Sequence, residues 1–257
     1  MQTLDRLPSE LEAMKKLPEK IYCQGDPGLL KRPKVSIVGT RRPSAYTRRV
    51  TYELGRALSK RGVCIVSGAA MGVDAVAHQG AGSDNTIAVM ATGIDIRYPA
   101  VNRELIEAIE KQGLTLSQFD PGFKATAWSF VLRNELVVAL GELLIVTEAD
   151  EKSGSMRSAE YAMEMKKPIY VLPHRIGESK GTSYLLEEGL AEPIYSIDRF
   201  ASGFGKAVDD GVPRDEFFYF CQNSPTLDEA LEQFGDRVYE AELEGTIMVE
   251  NGLVRLI

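Results

Sequence analysis

No run of roughly 18 apolar residues occurs in the 257-residue chain, so the sequence holds no candidate for a membrane-spanning helix. Cysteine is scarce: Cys23, Cys64 and Cys221 lie far apart and form no C-x-x-C pair. An odd, scattered set argues against a disulfide framework or a zinc site and suits reduced thiols in a cytosolic core. The first residues, MQTLDRLPSELEAMKKL, carry acids and an amphipathic pattern, which reads as neither a secretory signal nor a transit peptide. Internal repeats and low-complexity tracts are absent, and no G-x-G-x-x-G dinucleotide fingerprint follows the first strand. No metal, cofactor or membrane partner is expected.

What is present is an ordinary globular composition with an uneven charge. Apolar residues make up 44% of the chain, and the formal charge is −7. Residues 205–257 hold twelve acids and four bases; the remaining 204 residues hold 25 acids and 26 bases. The main part is thus nearly neutral and can still bind phosphates where its arginines cluster, whereas the acidic tail repels them.

Short apolar runs alternate with helical patterns: KVSIV at 34–38, VCIV at 63–66, TIAVM at 86–90, a strand at 114–117, ELLIV at 142–146 and IYVL at 169–172. Between them helices are predicted over 47–60, 74–79, 103–111, 133–139 and 158–166, with another from 183. This is the signature of an α/β, Rossmann-like doubly wound and mainly parallel sheet covered on both faces. Residues 1–33 read as a short helical extension, with Leu11, Met14 and Leu17 on one face. The main domain spans 34–200, a Gly- and Asp-rich linker 201–213, and a small winged-helix-like domain 214–257 that ends in a hairpin about Asn251-Gly252.

In such sheets ligands lie beyond the carboxyl ends of the strands, so the residues after each strand are the candidate site. The first strand is followed by Gly39, Thr40, Arg41 and Arg42, where a glycine permits close approach and arginines can grip phosphate beside helix-start amides. The second is followed by Ser67, Gly68 and Ala69, with Asp74 and His78 one helical turn apart and suited to a structural hydrogen bond. After the strand at 142–146 come Lys152, Ser153, Gly154 and Ser155, hydroxyls and amides about a glycine. Phe130, with Arg133 and Asn134 after it, offers a ring beside a cation, the combination that stacks unpaired bases. Trp128 is a weaker candidate. No nucleophile or metal is evident, so no catalytic role is assigned.

Taken in order, these residues resemble the DprA (Smf) family, the DNA-processing proteins of natural transformation. The likeness runs from Lys34 to Ile197 through GTRRPSAY at 39–46, SGAAMGVDAVAH at 67–78, Thr86–Val89, Gly93, Tyr98-Pro99, Phe130, Arg133-Asn134 and EADEKSGSMRSAEYA at 148–162. It implies a dimerising Rossmann-like domain that binds single-stranded DNA, hands it to the RecA recombinase and displaces single-strand-binding protein. Arg41 and Arg42 match the phosphate-contacting arginine of the family's G-[ST]-R motif, Phe130 its base-stacking aromatic, and 67–69 and 152–155 its other two pocket loops. The acidic C-terminal module suits a protein partner better than DNA.

Several positions depart from the family pattern. Glu135 stands where R-N-R is usual, Pro173-His174 where Pro-Gly is common, Gly80-Ala81-Gly82 where Ala-Leu often follows the histidine, and no base occurs in Ala125–Ala127. A rival class, hydrolases of nucleoside phosphates, would need a catalytic carboxylate, for which Glu160 is the one candidate.

Overall fold

The computed structural model describes residues 2–207 and 216–256, leaving out the side chain of Tyr219. Two compact units, 1–208 and 209–257, divide it.

In the first unit β3 (Lys34–Val38), β4 (Cys64–Ser67), β5 (Thr86–Val89), β6 (Leu114–Ser117), β7 (Leu144–Val146) and β8 (Ile169–Val171) form a parallel core. The helices α1 (Ala45–Ser59), α2 (Val73–Ala81), α3 (Arg103–Gln112), α4 (Ala127–Leu140), α5 (Gly154–Glu164), α6 (Lys180–Glu187) and α7 (Ile197–Ser202) connect and flank it. Alternating strand residues feed opposite faces. Val35, Ile37 and Ile65 pack with α1 and α2, while Val38, Val66, Leu144 and Val146 pack with α4 and α5. Three short strands, β1 (Gln2–Thr3), β2 (Tyr22–Gly25) and β9 (Glu192–Pro193), complete the sheet, whose order is β1-β2-β6-β5-β4-β3-β7-β8-β9. From β3 the chain winds out through β4, β5 and β6, then returns to lay β7 beside β3. That reversal is a topological switch point, where a crevice opens at the carboxyl edge.

The expected helical extension over 1–33 is corrected. Leu11 and Met14 are buried, but only in a short 3₁₀ turn, Ser9–Ala13, between Pro8 and Pro18, and Leu17 is exposed. Cys23 is buried in β2, just after the buried Ile21, and the strand joins β6 antiparallel with Cys23 opposite Leu116. The linker expected over 201–213 is also shortened. Ala201 and Ser202 close α7, and Phe200 packs on Tyr170 and Phe204, with ring centroids 4.9 and 5.9 Å apart. Residues 208–213 of that linker lie outside the described residues.

Among the helix starts that differ from expectation, two shape the carboxyl edge of the sheet. The helix expected from 133 begins at Ala127, because Thr126 and Ser129 form a reciprocal cap. The helix expected from 158 begins at Gly154, because Ser153 caps it. Phe130, Gly154 and Ser155 are therefore helical residues rather than loop residues.

The second unit has its own small core. Helices α8 (Glu216–Cys221), α9 (Leu227–Phe234) and α10 (Arg237–Leu243) pack with the hairpin of β10 (Ile247–Glu250) and β11 (Leu253–Leu256) around Phe217, Ala230, Val238, Ile247 and Val254. The hairpin turns at Asn251-Gly252, both at positive φ. Among the described residues no helix is long and apolar enough to cross a membrane.

Helices α1 and α2 approach closely through Gly55 and Gly80. A Cβ on Gly80 would lie 2.3 Å from the Tyr52 carbonyl oxygen, a backbone atom that cannot yield. In Gly80→Ala, overpacking of about 1–3 kcal/mol outweighs the helix-propensity gain of at most about 1 kcal/mol. A urea titration is expected to show a lower midpoint at unchanged m-value; a raised midpoint refutes the close-packing argument.

Candidate nucleic-acid interface

At the switch point a cavity of about 580 Å³ is walled by the segment after β3, the segment after β4, the face of α4 and the first turn of α5. Its cations are Arg41, Arg133 and Arg157, and its one carboxylate is Asp74.

The floor is built on Arg133. Its guanidinium is only 4% exposed, with Nη1 3.5 Å from Asp74 Oδ2 and 3.4 Å from the Val89 carbonyl, while Nε is buried without a partner. The seat exists because residue 68 is glycine: a Cβ there would fall 1.1 Å from Nη1. Burial pushes the Asp74 carboxyl above its usual range against the pull of Arg133 and the Ala70 amide. Burial likewise lowers Arg133, and the nearby charge of Arg41 adds to that.

Asp74 and His78 do not pair with each other, as the one-turn spacing suggested. Asp74 is held by Arg133 and the Ala70 amide (3.4 Å), and His78 turns into the sheet. Its Nε2 accepts from the Ala69 amide at 3.3 Å, so the proton sits on Nδ1, which donates to Thr86 Oγ1 at 2.6 Å. Thr86 in turn donates to the Ile65 carbonyl at 2.7 Å. This chain holds Ala69 at φ 53°, a left-handed conformation that shapes the segment after β4. Burial lowers the His78 pKa to about 3, helped by the Arg133 charge, so the ring is neutral.

The helix starts are not equivalent. At α1, Ser44 donates from its amide (3.1 Å) and hydroxyl (2.9 Å) to Glu148 Oε2, so a carboxylate of the chain itself fills that anion position. At α2 the Val73 amide donates to the Thr40 carbonyl at 3.1 Å, and Asp74 in the first turn complements the dipole. At α5, Ser153 Oγ accepts only from the Met156 amide (3.3 Å), and Gly154 and Ser155, whose amides no helical carbonyl can satisfy, line the cavity. Asn134 Nδ2 donates to the Gly154 carbonyl at 3.3 Å and ties α4 to that turn. The helix start expected to receive an anion after the first strand is thus already occupied, and α5 offers the open one.

Phe130 projects half-buried from α4, its ring 5.0 Å from Arg41 Cζ and 5.8 Å from Arg133 Cζ. Of the residues singled out from sequence, Gly39, Thr40, Arg41, Gly68, Phe130, Arg133, Asn134, Ser153, Gly154 and Ser155 line the cavity. Four do not. Arg42 and Lys152 stand exposed outside it, Ser67 is buried with Oγ donating to the Ile37 carbonyl (2.6 Å), and Ala69 is buried beneath the loop. Trp128, 53% exposed, packs edge-to-face against Phe119 and Phe123 instead. Glu135 does not subtract charge from the cavity: it is buried on the other side, accepting from the Lys15 amide at 2.9 Å. Sequence reasoning missed Asp74 as the partner of Arg133 and missed Arg157, which pairs with Glu160 on α5 and lies three residues beyond Gly154, on the same helix face.

The chain is similar to known proteins in both sequence and fold. The family model of DNA recombination-mediator protein A matches residues 2–205. Protein Smf of Synechocystis sp. is 40% identical over an alignment of 208 residues that covers 76% of this chain and 52% of that protein. DNA processing protein DprA of Bacillus subtilis is 34% identical over 186 residues, 70% of this chain and 62% of that protein. The chain therefore matches only about half to three-fifths of the length of these relatives. The solved structure of DNA processing protein A from Helicobacter pylori, which concerns that protein's single-stranded DNA binding mode, superposes with a TM-score of 0.77 at 43% identity, covering 79% of this chain and 94% of that one. DNA processing protein A from Streptococcus pneumoniae superposes with a TM-score of 0.73 at 31% identity, covering 80% and 75%. Both place the sheet and its helices in one Rossmann-like fold.

The floor of the cavity is open to two tests. Gly68→Ala must expel the Arg133 guanidinium, lowering stability by roughly 1–3 kcal/mol; an unchanged thermal midpoint refutes the seat. His78 protonates more readily unfolded than folded, so its stabilisation is complete above about pH 6.5 and is lost as pH falls toward 3. Denaturant midpoints measured across that window should fall less steeply for His78→Asn than for the parent protein.

Proposed function

The chain belongs to the DNA recombination-mediator protein A family, and on that premise we propose that it is a single-stranded DNA-binding recombination mediator. In this reading it protects incoming DNA during natural transformation, displaces single-strand-binding protein and helps load RecA in the cytoplasm. One observation carries the proposal. Arginines, the open start of α5 and a half-buried aromatic ring converge on one cavity at the switch point of the sheet.

Each group has a distinct task. Arg41 and Arg157 and the amides of Gly154 and Ser155 take backbone phosphates, whose charge complements both the guanidinium groups and the α5 dipole. Phe130 takes the face of a base, and the cations beside the ring suit such stacking. Bases stacked inside a duplex cannot present that face, which favours unpaired strands. Nothing in this scheme reads a base edge, so binding tolerates any sequence. A homodimer would set two such cavities along one strand and raise avidity without new contacts. The 214–257 module, read as a winged helix, carries net acid and would engage a protein partner. Hydrolysis of nucleotides finds little support: Asp74 is held by Arg133, and Glu160 pairs with Arg157 outside the cavity.

A gel-shift titration at two salt concentrations tests the reading, with single strands expected to bind more tightly than duplex and affinity to fall with salt. Equal binding of both forms, or none, counts against it. Arg41→Ala should weaken single-strand binding by about 1–3 kcal/mol, the scale of a lost charge-assisted contact. Arg42→Ala, outside the cavity, should change it little. Phe130→Ala should cost about 1–3 kcal/mol of binding; loss of folding stability alone would mark the ring as core.

A further inference from the structure

Tyr98 and Pro99 belong to the residues that carry the family likeness, yet they lie outside the cavity at the switch point. They stand in the segment after β5, at the same carboxyl edge of the sheet. Their loop is firmly held: Thr92 Oγ1 donates to the Ile96 carbonyl at 2.7 Å, and the Gly93 amide to the Phe123 carbonyl at 2.8 Å. Beyond Pro99, Asn102 Nδ2 donates to the Ala69 and Ala70 carbonyls at 3.0 Å each, tying this segment to the one after β4. The Tyr98 ring thus stands in fixed relation to the cavity. Its centroid is 6.2 Å from that of Phe130 at a tilt of 56°, and 47% of the residue is exposed.

A narrow crevice of about 20 Å³ beside Phe130 is lined by Arg41, Met71, Tyr98 and Pro99, so Arg41 and Phe130 are walls common to both hollows. The two rings are already in contact range, which leaves no room for a base between them. Met71 and Val101, both exposed, give this side an apolar flank. Apolar surface suits the face of a base and not a phosphate, which would lose hydration there without a partner.

From these features we propose that Tyr98 is a second base-stacking position. A strand whose phosphates lie at Arg41 and the start of α5 sets one base on Phe130 and the neighbouring base on the outward surface of Tyr98. The inference rests on the single-strand reading and adds a subsite and a direction to it: bases toward the Met71–Tyr98 side, phosphates toward α5.

The test compares the full chain with its Tyr98→Ala and Tyr98→Phe variants, using oligothymidylate and an abasic strand of equal length. Fluorescence anisotropy gives Kd for each. Tyr98→Ala should lose roughly 5- to 150-fold on oligothymidylate, the range of one stacked base, and bind the abasic strand as the parent does. Tyr98→Phe should retain parental affinity, since stacking needs the ring and not the hydroxyl. Parental affinity of Tyr98→Ala for oligothymidylate, or an equal loss on both strands, overturns the second position while leaving the first reading intact. Failure of the parent chain itself to bind oligothymidylate overturns both.

Discussion

The buried Arg133 guanidinium is the constraint around which the cavity is built. It joins α4 to Asp74 on α2 and to the β5 carbonyl at Val89, and it lies where only glycine at 68 leaves space. A buried ion pair contributes little net stability, because desolvation consumes most of its attraction, but removing one partner strands a charge. The pair therefore acts mainly as a registration device. It sets the height of Phe130, one turn earlier on α4, and places a fixed positive charge under the ring.

The same logic governs where a ligand anion can go. Helices α1, α2 and α5 follow strands at the rim, and an anion is favoured at each start. Two starts are met internally, by Glu148 at α1 and by the Thr40 carbonyl with Asp74 in the first turn at α2. That leaves α5 with its glycine at the first position, where even a Cβ would meet only the Asn134 amide at 3.7 Å. A net-acidic protein thus leaves the start of α5 clear of its own carboxylates while they stand at the starts of α1 and α2 nearby. The overall charge of −7 says little about this, since all of the acid excess falls in residues 205–257.

Loop order comes from buried polar chemistry rather than from apolar packing. The His78–Thr86–Ile65 chain holds Ala69 at positive φ, and Asn102 binds two successive carbonyls of the same segment. Segments so preorganised have little ordering entropy of their own left to lose when a ligand binds.

Much of this was legible in the residues alone. Apolar runs of four or five residues separated by helical patterns specify a parallel sheet, because strands buried on both faces must be apolar throughout. Glycine, arginine and serine after those strands mark its carboxyl edge, since their backbone freedom, charge and hydroxyls are local properties. The second β-strand was not legible: Tyr22–Gly25 is a strand only because β6 offers it an edge. Nor could spacing reveal that Asp74 prefers Arg133, on a distant helix, to His78 one turn along, or that Glu148 closes the start of α1. Local sequence determined which groups reach the rim. Only the tertiary fold decided which of them were consumed by each other, because a buried charge must find its partner wherever the chain brings one near.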